Sequence, residues 1–237
     1  MLSEPTEPVR ASQTEDVYER LRTALLSGHY LPGHKLKITE LCGEVQGSLG
    51  AVREALSRLL AEGLVHSEPY KGFHVSPVSP ADLIDLTRAR IEVEKLCLAS
   101  SLAHGDIEWE GRLVALLHQL SRSSGRETPE AMGEWSRLHT IFHDTLVSAC
   151  DSGWLLRLHR ILHEQSERYR RLGLMVGAGL DDPTPQWPKR DTATEHRQLV
   201  EAAIARDVSR VSELIAAHIQ RTTDDLLRLL RAGEGAQ

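Results

Sequence analysis

Twelve histidines fall among the 237 residues, and two pairs stand at i, i+4 spacing: His139 with His143, and His159 with His163. On a helix, residues four apart share one face, so either pair can offer two imidazoles to one divalent ion. Spacing alone does not choose between the pairs. A second kind of chemistry is carried by Arg53 and Arg58, which stand opposite Val52 and Leu56 on a helical pattern. A guanidinium so placed can make bidentate contacts with guanine or phosphate. Nucleophilic and nucleotide chemistry lack their signatures, since no GxSxG elbow, Walker-type loop or GxGxxG run occurs. A zinc-dependent hydrolase is the alternative function, but the stretch HTIFH has Thr140 where an HExxH helix carries its general-base Glu.

The elements that must position these residues can be read from apolar periodicity. Val17, Leu21, Ala24 and Leu25 predict a helix over 14–27, ending at Gly28. A turn at Pro32-Gly33 leads to a short helix over 39–44. Ser48 then caps a third helix over 49–62, with Val52, Ala55, Leu56, Leu59 and Leu60 inward and Gly63 at its end. Two short β stretches, 64–67 and 72–77, form a hairpin about the Gly72 hinge. Three helices and a hairpin outline a winged helix-turn-helix whose third helix enters a DNA major groove.

Beyond Ser79, itself a cap, everything reads as helix. The first segment runs to about residue 104 with Leu83, Ile84, Leu86, Ile91 and Leu96 expected inward. Others span 107–122, 129–150, 152–172, 192–205 and 208–231, and the stretch 175–189, rich in Gly, Pro and Asp, is irregular. The expected architecture is mainly α: a flexible tail over 1–13, a DNA-binding domain over 14–78 and an all-helical bundle over 79–233.

Composition narrows the function classes. An apolar fraction of 41% with 26% charged residues is that of a globular protein, and no run approaches a membrane span, which predicts a cytoplasmic chain without a membrane partner. Cys42, Cys97 and Cys150 form no CxxC pair, so neither a disulfide framework nor a thiolate zinc site is indicated. The net charge of -6 means that DNA affinity must come from a local cationic patch.

The stretch YERLRTALLSGHYLPGHKL followed by GSLGAVREALSRLLAEGLV resembles the GntR family of transcription regulators, and the helices behind it resemble the FadR-like subgroup. The resemblance implies DNA contacts by Ser48, Gly50, Arg53 and Arg58 on the recognition helix, Gly72 at the wing tip, and phosphate contacts by Lys35 and Lys71. Where members commonly have a base-reading Arg, this chain has Leu49, which can touch a thymine methyl.

The same resemblance selects a ligand set: His143 after Phe142, His196 in TEHRQL, and His218, with His139 where the subgroup usually has Asp. Four imidazoles make a neutral cage suited to a divalent transition metal, zinc first and nickel as an alternative. His159 and His163 are left as core or surface residues, and Asp144 and Glu195 are expected to point away from the ligands. The subgroup further implies a small carboxylic acid as effector, met by Arg90 unless Arg90 simply pairs with Glu94, and a homodimer acting as a repressor on a palindromic DNA operator.

Overall fold

The computed structural model describes residues 13–123, 129–177 and 190–234. The predicted tail, through residue 12, and residues 178–189 of the predicted irregular stretch lie outside the described residues. The chain divides into two units, residues 1–78 and 79–237.

In the first unit the apolar stripes close on one another. α1 (Gln13–Leu26) buries Val17, Tyr18, Leu21 and Leu25. After β1 (Lys35–Leu36) comes α2 (Ile38–Glu44), which buries Leu41. α3 (Leu49–Ala61) begins where the Ser48 hydroxyl accepts the Ala51 N–H at 3.2 Å, and it buries Ala51, Val52, Ala55, Leu56 and Leu59. Leu60, expected inward, is exposed, because at 3.6 residues per turn it lies roughly 80° around the axis from Val52. Gly63 follows at φ 72°, a left-handed conformation that lets the chain leave the helix sharply.

The hairpin is present as β2 (Val65–Glu68) and β3 (Gly72–Val75). β1 adds a third, unanticipated strand, giving the antiparallel order β1-β3-β2. Two residues carry no alternation to read, and β1 exists only because β3 offers Phe73 and His74 as partners.

The second unit contains α4 (Pro80–His104), α5 (Ile107–Arg122), α6 (Pro129–Val147), α7 (Gly153–Gly177), α8 (Thr192–Ile204) and α9 (Val208–Glu234). Ser79 and Asp106 cap α4 and α5 by accepting the N–H groups of Asp82 and Trp109 at 3.1 and 2.8 Å. α4 lies against α7 and α9, while α5 packs on α6 and α8. Trp109, Leu113, Phe142, Leu146, Leu199, Val211 and Ile215 fill one core.

The inward face of α4 departs from expectation. Ile84 and Leu96 are exposed, and the buried stripe includes Thr87, Arg90, Glu94 and Ser101 beside Leu83, Cys97 and Leu98. Those polar residues follow the helical period from Leu83 more closely than Ile84 or Leu96 does, so the bundle turns a partly polar seam inward. Among the described residues no helix is long and apolar enough to cross a membrane.

Candidate functional site

Burying titratable groups without purpose costs stability, so the polar interior of the second unit marks a candidate site. Phe142 and Leu146 face the core on α6, and the same face carries His139 and His143. Leu199 and Val200 seat α8 and bring His196 inward, and Ile215 and Ile219 do the same for His218 on α9. All four imidazoles are buried, and one nitrogen from each falls within 4.8 Å of the others. The His139 and His143 Nε2 atoms lie 3.1 Å apart, and the His196 and His218 ring centres are 5.0 Å apart.

Burial pushes His139, His143 and His218 below the ordinary imidazole range; neighbouring histidines and arginines add to it at the first two, while at His218 the Glu195 hydrogen bond opposes it without reversing it. These three rings are therefore held toward the neutral form, which keeps a lone pair for a ligand. Four imidazoles of this convergence suit zinc or nickel and are too soft a set for magnesium.

A second layer, missed in the sequence, orients His218. Its Nδ1 stands 2.8 Å from Glu195 Oε2 and 3.1 Å from Arg190 Nη2. A carboxylate can only accept, so Nδ1 donates to Glu195 and Nε2 keeps its lone pair. Arg190 also pairs with Glu195 and donates to the His218 carbonyl at 3.0 Å. Burial alone would raise the Glu195 carboxyl, but the Arg190 hydrogen bond, then that of His218, outweigh it and hold the group well below the usual carboxylate range. Glu195 thus points toward a candidate ligand, contrary to expectation. Its position one residue before His196, about 100° around the helix, carried no local signal of this, because the partner lies 23 residues on, in α9.

His159 and His163 are core residues. With Glu94 they form a second buried set whose candidate ligand atoms also lie within 4.8 Å of one another. Arg90 occupies that place: its Nε and Nη2 both donate to Glu94 Oε1 at 3.2 Å, and Nη2 lies 3.2 Å from His163 Nδ1. A cation there would compete with the guanidinium. Asp144 lies 3.3 Å from His159 Nε2, away from the four-histidine set. Since the His163 ring centre is 5.8 Å from that of His143, Arg90 reaches the four-histidine neighbourhood through one imidazole. A cleft of about 130 Å³ lined by Leu117, Leu120, Trp135, Thr192 and Ala193 ends on His196.

In the first unit, Ser48 and Gly50 open α3 and are exposed, as is Leu49. Arg53 is exposed, and its guanidinium has no partner among the described residues. Arg58 differs. It donates to Glu15 at 2.7 and 3.3 Å and lies 3.7 Å over the Tyr18 ring, so it braces α3 against α1. Lys35 is exposed on β1, and Lys71 pairs with Glu68 at 2.6 Å. The wing turn holds Tyr70 at φ 64° and Gly72 at φ 89°. Tyr70, not singled out in the sequence, is fully exposed at the tip.

The helix-turn-helix with its wing, carried with a helical bundle that buries a histidine set, defines the class: a transcription regulator with a second, helical domain. Residues 13–75 match the model of bacterial regulatory proteins of the gntR family, and residues 85–221 match the FCD domain. The chain belongs to the GntR family. It is 38% identical over 212 residues to the HTH-type transcriptional regulator BphR of Paraburkholderia xenovorans (strain LB400), spanning 88% of this chain and 83% of the relative. It is 33% identical over 209 residues to the HTH-type transcriptional repressor GlaR of Escherichia coli (strain K12), spanning 86% and 91%. Its fold is that of the solved E. coli McbR/YncC, with TM-score 0.73, 21% identity and coverage of 92% of this chain and 98% of that one.

Proposed function

We propose that the chain is a cytoplasmic, metabolite-responsive repressor whose helical unit binds a small carboxylic acid at a divalent metal, zinc first, held by His139, His143, His196 and His218. The observation that carries this is the convergence of four buried imidazoles, one nitrogen each within 4.8 Å. The metal, when bound, supplies positive charge that attracts a carboxylate oxygen. The residues do the rest: Glu195 orients His218, and Arg90, already charged beside His163, meets a second acidic group of the ligand by exchanging its contact with Glu94.

On the DNA side, the reading assigns Arg53 to base or phosphate contact, Ser48 and Gly50 to close backbone approach, Leu49 to a thymine methyl, and Lys35, Lys71 and Gly72 to the flanking backbone and groove. Arg58 is not included, since Glu15 and Tyr18 hold it. A homodimer presents two such helices to a palindromic operator, and the acid shifts occupancy by binding one arrangement of the dimer better than the other. The repressor sign is supported by the name of the GlaR relative.

A thermal-shift screen with mono-, di- and tricarboxylic acids, with and without prior chelation, tests the sensor. One acid is expected to raise Tm only in the metal-loaded protein. Stabilisation that survives full metal removal would eliminate the metal from the effector site.

A further inference from the structure

The three-stranded sheet has an inner and an outer face. Val65, Val75 and Leu36 are buried in the core. Residues on alternate positions therefore stand on the outer face, and the register places His66 directly across from His74, with Lys35 across from His74 on its other side. Glu68, two positions beyond His66, shares that face. The two imidazoles stack with centres 5.5 Å apart and planes 28° from parallel. Each presents a buried Nδ1 that has no hydrogen-bond partner among the described residues.

We propose that His66, His74 and Glu68 form a separate divalent-metal site in the wing. One ligand atom from each of the three lies within 4.8 Å of the others. Directly opposed residues on antiparallel strands have Cβ atoms about 4.5–5.5 Å apart, a span that two imidazoles can bridge through one ion. Zinc bonds imidazole nitrogen at about 2.0–2.1 Å, so the stacked rings must turn about their side-chain torsions to aim one nitrogen each at a shared ion.

The carboxylate is already divided between two tasks. Lys71 holds Glu68 Oε2 at 2.6 Å, while Oε1 faces His66 Nε2 at 3.5 Å. Lys71 can thus keep one oxygen while the other ligates, an outer partner that orients a ligand. Two imidazoles and one carboxylate favour zinc, nickel or copper over magnesium or calcium, and they leave room for solvent in the coordination sphere. The ion would tie β2 to β3, strands of four residues each, and add positive charge beside Lys35 and Lys71.

The test uses the full-length protein and zinc alone. Equilibrium dialysis compares the wild type with His66→Gln/His74→Gln, leaving the four-histidine set intact, and the double variant is expected to take up one zinc fewer per chain. In parallel, the imidazole NMR signals of His66 and His74 in the wild type are followed during zinc addition and are expected to shift together. Glu68→Gln is expected to weaken the affinity of this site at least tenfold. Because the NMR arm uses the wild type, a folding defect in the double variant would not mask the answer. Equal zinc uptake by both proteins, or His66 and His74 signals that do not move, overturns the site.

Discussion

Glu195→Gln isolates the orienting layer of the proposed four-histidine centre. In the wild type, Glu195 accepts from His218 Nδ1 at 2.8 Å and also binds Arg190, and it stays charged. Glutamine keeps the shape but loses the charge, and its amide can turn an NH2 group toward Nδ1. His218 then loses both the fixed tautomer and the electron push of the carboxylate. Outer partners of metal-bound histidines are worth about 10–100-fold in metal affinity, or about 1.4–2.7 kcal/mol. Arg190 retains Thr222 at 3.0 Å and Asp225 at 3.6 Å, so the metal-free fold is expected to survive. Competition dialysis of zinc against a chelator of known strength, on wild type and variant, reads the affinity, and the metal-free Tm separates folding from binding. A folded variant whose zinc affinity stays within twofold of the wild type would refute the reasoning that Glu195 orients a metal ligand.

Other outcomes follow from the same geometry. Arg53→Ala is expected to weaken operator binding by about 1–3 kcal/mol, while Arg58→Ala lowers the Tm and leaves operator affinity within a few-fold; equal losses of affinity in both would return Arg58 to the DNA-contacting set. In the metal-free protein, burial keeps His139, His143 and His218 below their usual range, whereas the unfolded imidazoles protonate near pH 6.5. Stability is then complete above that pH and is lost as pH falls toward the folded values, at about 1.4 kcal/mol per histidine per unit within that window. Urea melts at pH 7.5, 6.0 and 5.0 check this, and unchanged midpoints would contradict it. Zinc-loaded protein is expected to hydrolyse neither peptide nor ester substrates, since Thr140 stands where a general base is needed; zinc-dependent turnover abolished by His143→Asn would reverse the functional reading.

The helices of both units were legible because helix signals are local. Ser48 and Ser79 cap α3 and α4 where the sequence places them, and Gly63 closes the former. The i, i+4 histidine pairs were equally plain, since a helix puts such residues on one face whatever surrounds it. What periodicity left open was which pair meets His196 and His218, and only the resemblance to a family chose between them. Leu60, Ile84 and Leu96 were misplaced because counting apolar residues marks a stripe without showing its edge.

Sequence by itself therefore determined the order of elements and the winged helix-turn-helix outline, and with the family resemblance it singled out His139, His143, His196 and His218. Tertiary structure alone decided the partners. It placed Glu15 against Arg58, 43 residues away, turned Glu195 onto His218 across two helices, filled the inner face of α4 with Arg90 and Glu94, and set His66 beside His74 across the wing. These pairings depend on register and on how helices pack, which arise from the summed burial of many residues, so no short window of sequence contains them.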